Sequence, residues 1–262
     1  MPSSALHVAR TGLEAQDTRM RVIANNLANV GTTGFKRDRA NFATLAYQDA
    51  RVAGQQSSGE TAYATGLNLG TGVGIQATTR IDSQGSLQST SNALDLALDG
   101  DGYFQVSLPG GQLAYTRAGN FSRSAEGQLV TAQGYALQPP ITVPEGASAI
   151  TIAPDGTVSA TVPGSAEPTQ LGQITVASFA NPSGLQSKGD NFLLETAASG
   201  AAQIGIAGEN GRGQIRQGYL EASNVNVVEE LVDMIECQRA YEVNSKMISA
   251  VDEMLKNANQ TL

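Results

Sequence analysis

The chain has 262 residues, room for one large domain or two, and its net charge of −8 argues against nucleic acid and anionic membrane as main partners, since both select positive surface. Aromatic residues are 5% of the chain, Trp is absent and Gly numbers 29, a balance that suits many short strands and turns better than an aromatic-lined pocket. A single His (His7) and a single Cys (Cys237) all but exclude a Ser-His-Asp triad or a multi-histidine metal site, and exclude an intramolecular disulfide.

The first predicted element is a helix. Leu6, Leu13, Met20 and Leu27 recur every seven residues, and Ala9, Ile23 and Val30 sit three after three of them. Ser3 or Ser4 suits its N-cap, and Gly31 suits a left-handed stop after Val30. Thr32-Thr33-Gly34 then breaks the pattern before the basic pair Lys36-Arg37. From Ala40 to about Gly70 no period holds. Phe42, Leu45, Tyr47, Leu67 and Leu69 are apolar anchors spaced along this segment, and Gly54 to Gly59 reads as an exposed loop tip. Anchors too sparse to form a core of their own are candidates for burial on another chain.

From Val73 the period becomes two. Leu94, Leu96 and Leu98 alternate with Asp95, Ala97 and Asp99; Phe104, Val106 and Leu108 alternate with Gln105 and Ser107; Val158, Ala160 and Val162 alternate with Ser159 and Thr161. Turn residues punctuate these runs at Pro109-Gly110-Gly111, Glu126-Gly127, Pro154-Asp155-Gly156 and Asn181-Pro182-Ser183-Gly184. The middle of the chain is therefore expected to be an antiparallel β domain, entered from one helical terminus and left through the other.

The last element, from Asn226 to about Ala258, is a second heptad helix. Val227, Met234, Tyr241, Ile248 and Leu255 recur every seven residues; Cys237, Val251 and Ala258 follow members of that series by three, with polar Glu230 and Asn244 at the equivalent positions. Asn226 suits the N-cap and Glu229 and Glu230 suit the positive end of the helix dipole. Such a seam needs a partner helix, and the charges point to the N-terminal one. Residues 1–40 hold six Lys/Arg against three Asp/Glu, a balance of +3, whereas residues 221–262 hold three against eight, a balance of −5. The expected fold is α+β: long N- and C-terminal helices paired as a coiled coil, with a central antiparallel β domain. The expected domains are a helical one from 1–35 and 222–262, an extended linker at 36–72, and a β domain at 73–221.

No stretch carries enzyme chemistry. Asp95, Asp99 and Asp101 faintly suggest a calcium loop, but counting from Asp95 puts Ala97 at the third ligand position and Val106 at the twelfth, where a bidentate Glu belongs. Gly70-Thr71-Gly72-Val73-Gly74 lacks the glycine spacing of a dinucleotide loop, and Gly208 to Gly213 lacks a lysine followed by Ser or Thr. No catalytic residue, metal or cofactor is expected. No apolar run approaches the ~18 residues of a membrane span. The N-terminus lacks a basic-then-apolar signal peptide, which taken alone predicts the cytoplasm.

Ala24-Asn25-Asn26-Leu27-Ala28-Asn29-Val30-Gly31-Thr32-Thr33-Gly34-Phe35-Lys36 resembles the N-terminal signature of the bacterial flagellar rod and hook family. Asp99 to Val106, Tyr115 to Phe121, Gly127 to Thr131 and Ser223 to Val227 agree with it, the last leading into Gln238 to Lys246, so the resemblance spans essentially the whole chain. Within the family the chain is most similar to the distal-rod branch: no second large β domain is inserted as in hook proteins, and Thr65 to Val73 resembles that branch's linker. Its first turn, Met1 to His7, is less apolar and less aromatic than in many members.

The resemblance implies a structural subunit that polymerises into a helical tube, encloses the export channel and transmits torque from motor to hook. It implies an inner layer of terminal helices and an outer β layer. The implied partners are copies of itself, proximal-rod proteins, the hook protein, the surrounding L and P ring proteins and the export apparatus. It replaces the cytoplasmic expectation with the periplasmic rod of the basal body, reached by export without a cleaved signal. The interface residues expected are Leu6, Leu13, Met20, Ile23, Leu27, Val227, Met234, Tyr241, Ile248 and Leu255, with Phe42, Leu45, Tyr47, Leu67 and Leu69 as linker contacts. The alternatives are a proximal-rod or short hook-type subunit and, from another class, a soluble periplasmic binding module, which would need a formed pocket.

Overall fold

Helix α1 runs from Pro2 to Ala28. Proline suits the first helical turn because its missing N–H has no helical partner there, so the helix begins before Ser3 and Ser4, which lie inside it and not at its cap. Its stop also differs from the expectation. Thr32 N–H bonds to Asn29 O at 3.1 Å, closing a turn, and the left-handed glycine is Gly34 at φ 68°, not Gly31. The computed structural model describes residues 2–56, 63–147, 149–162 and 168–260. Within these, the chain forms two compact units: the first from Met1–Leu27, Asp38–Thr79 and Asn226–Leu262, the second from Ala28–Arg37 and Arg80–Val225.

The first unit contains α1 and the longer helix α2, Val227–Gln260. Asn226 caps α2 by accepting a hydrogen bond from Val228 N–H at 3.1 Å, and Glu229 and Glu230 occupy its first turn. Its 34 residues give a rod of about 51 Å at ~1.5 Å per residue. Four strands complete the unit: β1 (Asp38–Thr44), β2 (Tyr47–Arg51), β3 (Leu67–Gly70) and β4 (Val73–Arg80). They form two ribbons, β1 with β4 and β2 with β3. The sequence shows no alternation here because β3 is exposed along its whole length and β2 along all but Arg51; a ribbon wet on both faces needs no apolar side. The last residues of the predicted loop tip, Ser57 to Gly59, lie outside the described residues.

Among the described residues the strands of the second unit pair antiparallel, with one 3-10 turn at Pro182–Gly184. Its strands are β5 (Leu87–Ser89), β6 (Leu96–Asp99), β7 (Tyr103–Ser107), β8 (Leu113–Thr116), β9 (Ser122–Arg123), β10 (Leu129–Val130), β11 (Ala136–Gln138) and β12 (Ala149–Ile152). They continue as β13 (Thr157–Thr161), β14 (Thr169–Gln173), β15 (Thr175–Ser178), β16 (Gln186–Gly189), β17 (Phe192–Leu194), β18 (Gln203–Ile206), β19 (Gln214–Gln217) and β20 (Tyr219–Glu221). Nine form the main sheet in the order β16-β17-β8-β7-β11-β10-β9, with β15 sharing an edge of β7 and β18 pairing β15. β12, β13 and β14 form a three-stranded sheet, while β6 pairs β19 and β5 pairs β20.

The turns predicted from Gly and Pro are the observed ones. Gly111, Gly127 and Gly156 adopt positive φ and close turns onto Leu108 O, Ser124 O and Ala153 O. One core gathers Leu96, Leu98, Phe104, Val106, Leu137 and Ile174, with Phe104 and Phe121 edge to face at 5.3 Å. Alternation implied a solvent face for β6 and β7, yet Asp95, Ala97 and Gln105 are also buried. A second cluster of Tyr103, Tyr115, Ala177, Leu185 and Leu193 packs on the other side of β7 and β8.

Candidate assembly surfaces

Within the first unit α1 and α2 touch in antiparallel register. Asn26 Nδ2 lies 3.2 and 3.3 Å from the Glu230 carboxylate oxygens, Arg19 pairs with Asp233 at 2.8 Å, and the Cys237 thiol donates to Gln16 O at 3.1 Å. Further along, a Cβ on Gly12 would stand 3.2 Å from Asn244 Nδ2. On α2 this facing series is Glu230, Cys237, Asn244 and Val251, heptad-spaced and largely polar or small. On α1 it is Ala9, Ala15, Ile23 and Asn26, all buried. Burial pushes the Cys237 thiol pKa up, and the fully buried side chain packs against α1. Asn26 also pairs both ways with the Asp38 backbone, at 2.9 Å each, fixing where β1 begins.

The predicted interface residues are distributed around that contact. Ile23 is buried, while Leu6, Leu13, Met20 and Leu27 on α1 and Met234, Ile248 and Leu255 on α2 are half-buried. Val227 and Tyr241 are exposed, the latter by 42%. A further apolar row leaves α2 unpartnered: Val228 is 69% exposed and Val232 52%, with Leu231, Ile235, Val243 and Met247 also exposed. So much apolar surface on a single helix marks an interaction face.

The predicted linker contacts divide likewise. Phe42 and Leu45 are half-buried, whereas Tyr47, Leu67 and Leu69 stand exposed on the β2–β3 ribbon. The Tyr47 ring covers Gly70, and Arg51 stacks over the Tyr63 ring at 4.2 Å. The ribbon's base meets α1 where Gly72 closes on Thr11, whose Oγ1 accepts from Val73 N–H at 3.4 Å.

A buried ion cluster in the second unit was not found by sequence reasoning. Lys36 Nζ lies 2.6 Å from Glu221 Oε1 and Arg117 Nε 3.2 Å from Glu221 Oε2, with all three side chains at most 5% exposed. Lys36 also donates to Ser83 O, and Arg117 Nη1 to the carbonyls of Gly100 and Gly102. Burial, and then the Arg117 guanidinium, push the Lys36 pKa down; Glu221 opposes them. Its only sequence signal was that Lys36 and Arg117 fall inside the stretches carrying the family resemblance. Asp95 and Asp99 serve structure, accepting from Asn92 and pairing with Arg216. Among the described residues no group of His, Cys, Asp or Glu is placed to hold a metal, and no helix is long and apolar enough to cross a membrane. A groove of ≈ 580 Å³ borders Asp155 and Glu209. Asp155 there is taken up by its own turn, accepting from Thr157 N–H and Oγ1 at 2.9 Å each.

Three family models match parts of this chain. Residues 6–36 match "Flagella basal body rod protein", 97–160 "Flagellar hook protein FlgE/F/G D1 domain" and 216–261 "Flagellar basal body rod FlgEFG protein C-terminal". The chain is 50% identical over 256 residues to the flagellar basal-body rod protein FlgG of Buchnera aphidicola, covering 98% of each. It is 48% identical over 257 residues to the protein so named in Caulobacter vibrioides, again covering 98% of each. A relative named flagellar basal-body rod protein FlgF, from Salmonella typhimurium, is 35% identical over 265 residues, with 98% of each covered.

Proposed function

The chain belongs to the flagellar basal-body rod family and is a structural rod subunit, not an enzyme; from that premise we propose that it builds the distal rod. Copies of the chain polymerise into a helical tube around the export channel, with terminal helices inside and β units outside. The tube passes torque from the proximal rod to the hook and turns within the L and P rings. It lies in the periplasm, and its subunits arrive through the export apparatus. The helices make their coiled-coil contacts, on this reading, with neighbouring copies. Contacts that repeat head to tail without closing into a ring produce an open filament.

The observation that carries this reading is the apolar row of α2, Val228, Leu231, Val232 and Ile235, which the described residues leave 43% to 69% exposed. Burying each of these is worth ~1.5–3 kcal/mol, so a neighbour's helix seated there would be held firmly. Val232→Asp places a charge on that row at a position already in water, leaving the monomer's thermal melt unchanged. In cells lacking the native chain, the variant is expected to give basal bodies with truncated rods and no swimming. Full-length rods and normal motility from Val232→Asp would overturn the reading, as would full-length rods in the deletion strain itself.

A further inference from the structure

The chain passes between its two units four times, after Leu27, Arg37, Thr79 and Val225. The three second-unit segments that receive these passages are tied to one another at one place, wholly inside that unit. Ile81 N–H donates to Arg37 O at 2.9 Å, Gly34 N–H to Glu221 O at 2.8 Å and Ala222 N–H to Ser86 O at 2.9 Å. Asn224 spans all three segments: its Oδ1 accepts from Arg37 N–H at 2.7 Å, and its Nδ2 donates to Ile81 O at 2.8 Å and Ser83 O at 3.0 Å. Glu221 does the same with charge. It takes Lys36 from the first segment and Gly85 N–H, at 3.0 Å, from the second, and holds Arg117, which reaches the carbonyls of Gly100 and Gly102. Two glycines let the segments close up. A Cβ on Gly34 would stand 2.6 Å from the Arg117 carbonyl carbon, and one on Gly85 would collide with Ala222 O.

We propose that this cluster is a force clamp. Tension or twist that enters the β unit through any one chain passage is shared among the three segments by Asn224 and Lys36–Glu221, then delivered through Arg117 into the sheet. A pair exposed to water would be a poor clamp, because water replaces its bonds as they stretch. The Lys36–Glu221–Arg117 pairs are dry, so they must break without a substitute partner, while Asn224 ties the same segments from a partly exposed position. The clamp needs only contacts inside one chain and no neighbouring copy, so it can fail while rod assembly holds, and the reverse.

The test is optical trapping of the full-length chain with the native thiol removed (Cys237→Ala). One pair of handles goes on Ala28→Cys and Val228→Cys, loading the passages. A control pair on Glu145→Cys and Gln186→Cys, both exposed, loads the β unit elsewhere. Glu221→Gln keeps the side chain's shape and removes its charge, and Asn224→Ala is the milder variant should the first fail to fold. With the passage handles each is expected to raise the forced-unfolding rate, on the order of a hundredfold for Glu221→Gln, since it breaks a buried pair. With the control handles the same proteins should unfold near the unmutated rate, although their urea midpoints are lowered. A clamp is thus directional, whereas a merely stabilising cluster is not. Equal acceleration in both directions, or none through the passages, would overturn the proposal.

Discussion

Two glycines with different surroundings call for opposite outcomes. Gly34 sits at φ 68° with the Arg117 and Ala118 backbone 2.6 and 2.7 Å from where a Cβ would go, and backbone on that side cannot yield. Gly34→Ala is expected to cost more than ~2 kcal/mol, from strain and clash together. Gly12 lies in α1, and the atom its Cβ would meet belongs to the flexible Asn244 side chain. Gly12→Ala should be near neutral or stabilise by up to about 1 kcal/mol, because alanine favours the helix. Urea midpoints of both variants check the contrast; a Gly34→Ala protein as stable as the parent would refute it. Tyr103 sets a pH dependence. Burial, and then the Asp82 carboxylate to which its hydroxyl donates at 3.1 Å, push its pKa well above the ordinary 10.0. The unfolded chain therefore releases this proton first, so the contribution is complete below about pH 10 and is lost as pH rises above it. Lys36, with a lowered pKa, acts with the opposite sign in both proteins, so a comparison with Tyr103→Phe isolates the tyrosine. Between about pH 10 and about pH 12, Tyr103→Phe should lose stability less steeply than the parent; parallel curves would contradict the assignment.

At the scale of elements, the terminal helices are the least self-sufficient part of the chain. Their mutual contact runs through Asn26–Glu230, Arg19–Asp233, Gln16–Cys237 and Gly12–Asn244, so it fixes register while burying little large apolar surface. Arg19–Asp233 is partly exposed, and such pairs contribute ~1 kcal/mol or less. Helices with few buried apolar contacts open readily, even when their hydrogen bonds are complete. The free monomer is expected to exchange the amides of α1 and α2 quickly and to lose both helices to protease. In the polymer those amides should become slow, while the strands from β5 to β20 are protected in both states. Equal protection of α1 and α2 before and after assembly would show that the pair is complete within one chain.

Across the whole molecule, what could be read in the sequence and what could not differ by range. Both helices, the β character of the middle and its glycine turns were legible, because period, capping and turn chemistry are set by residues a few positions apart. Family membership was legible too, in stretches such as Ala24–Lys36 that the comparisons match. The ribbon over β2 and β3 was not, because strands wet on both faces leave no alternating pattern. The buried polar contacts were illegible for a different reason. Lys36 and Glu221 are 185 positions apart and Asn26 and Glu230 are 204, and a lysine or glutamate reads as a surface residue until its partner is in place. The sequence by itself thus determined that the last helix carries heptad stripes in need of partners. Only the tertiary structure decided which stripe α1 takes, the polar series of Glu230, Cys237 and Asn244, and so left Val228, Val232 and Ile235 open. Periodicity fixes where apolar residues lie around a helix, but the face that is filled depends on the hydrogen-bond geometry of residues distant in the chain.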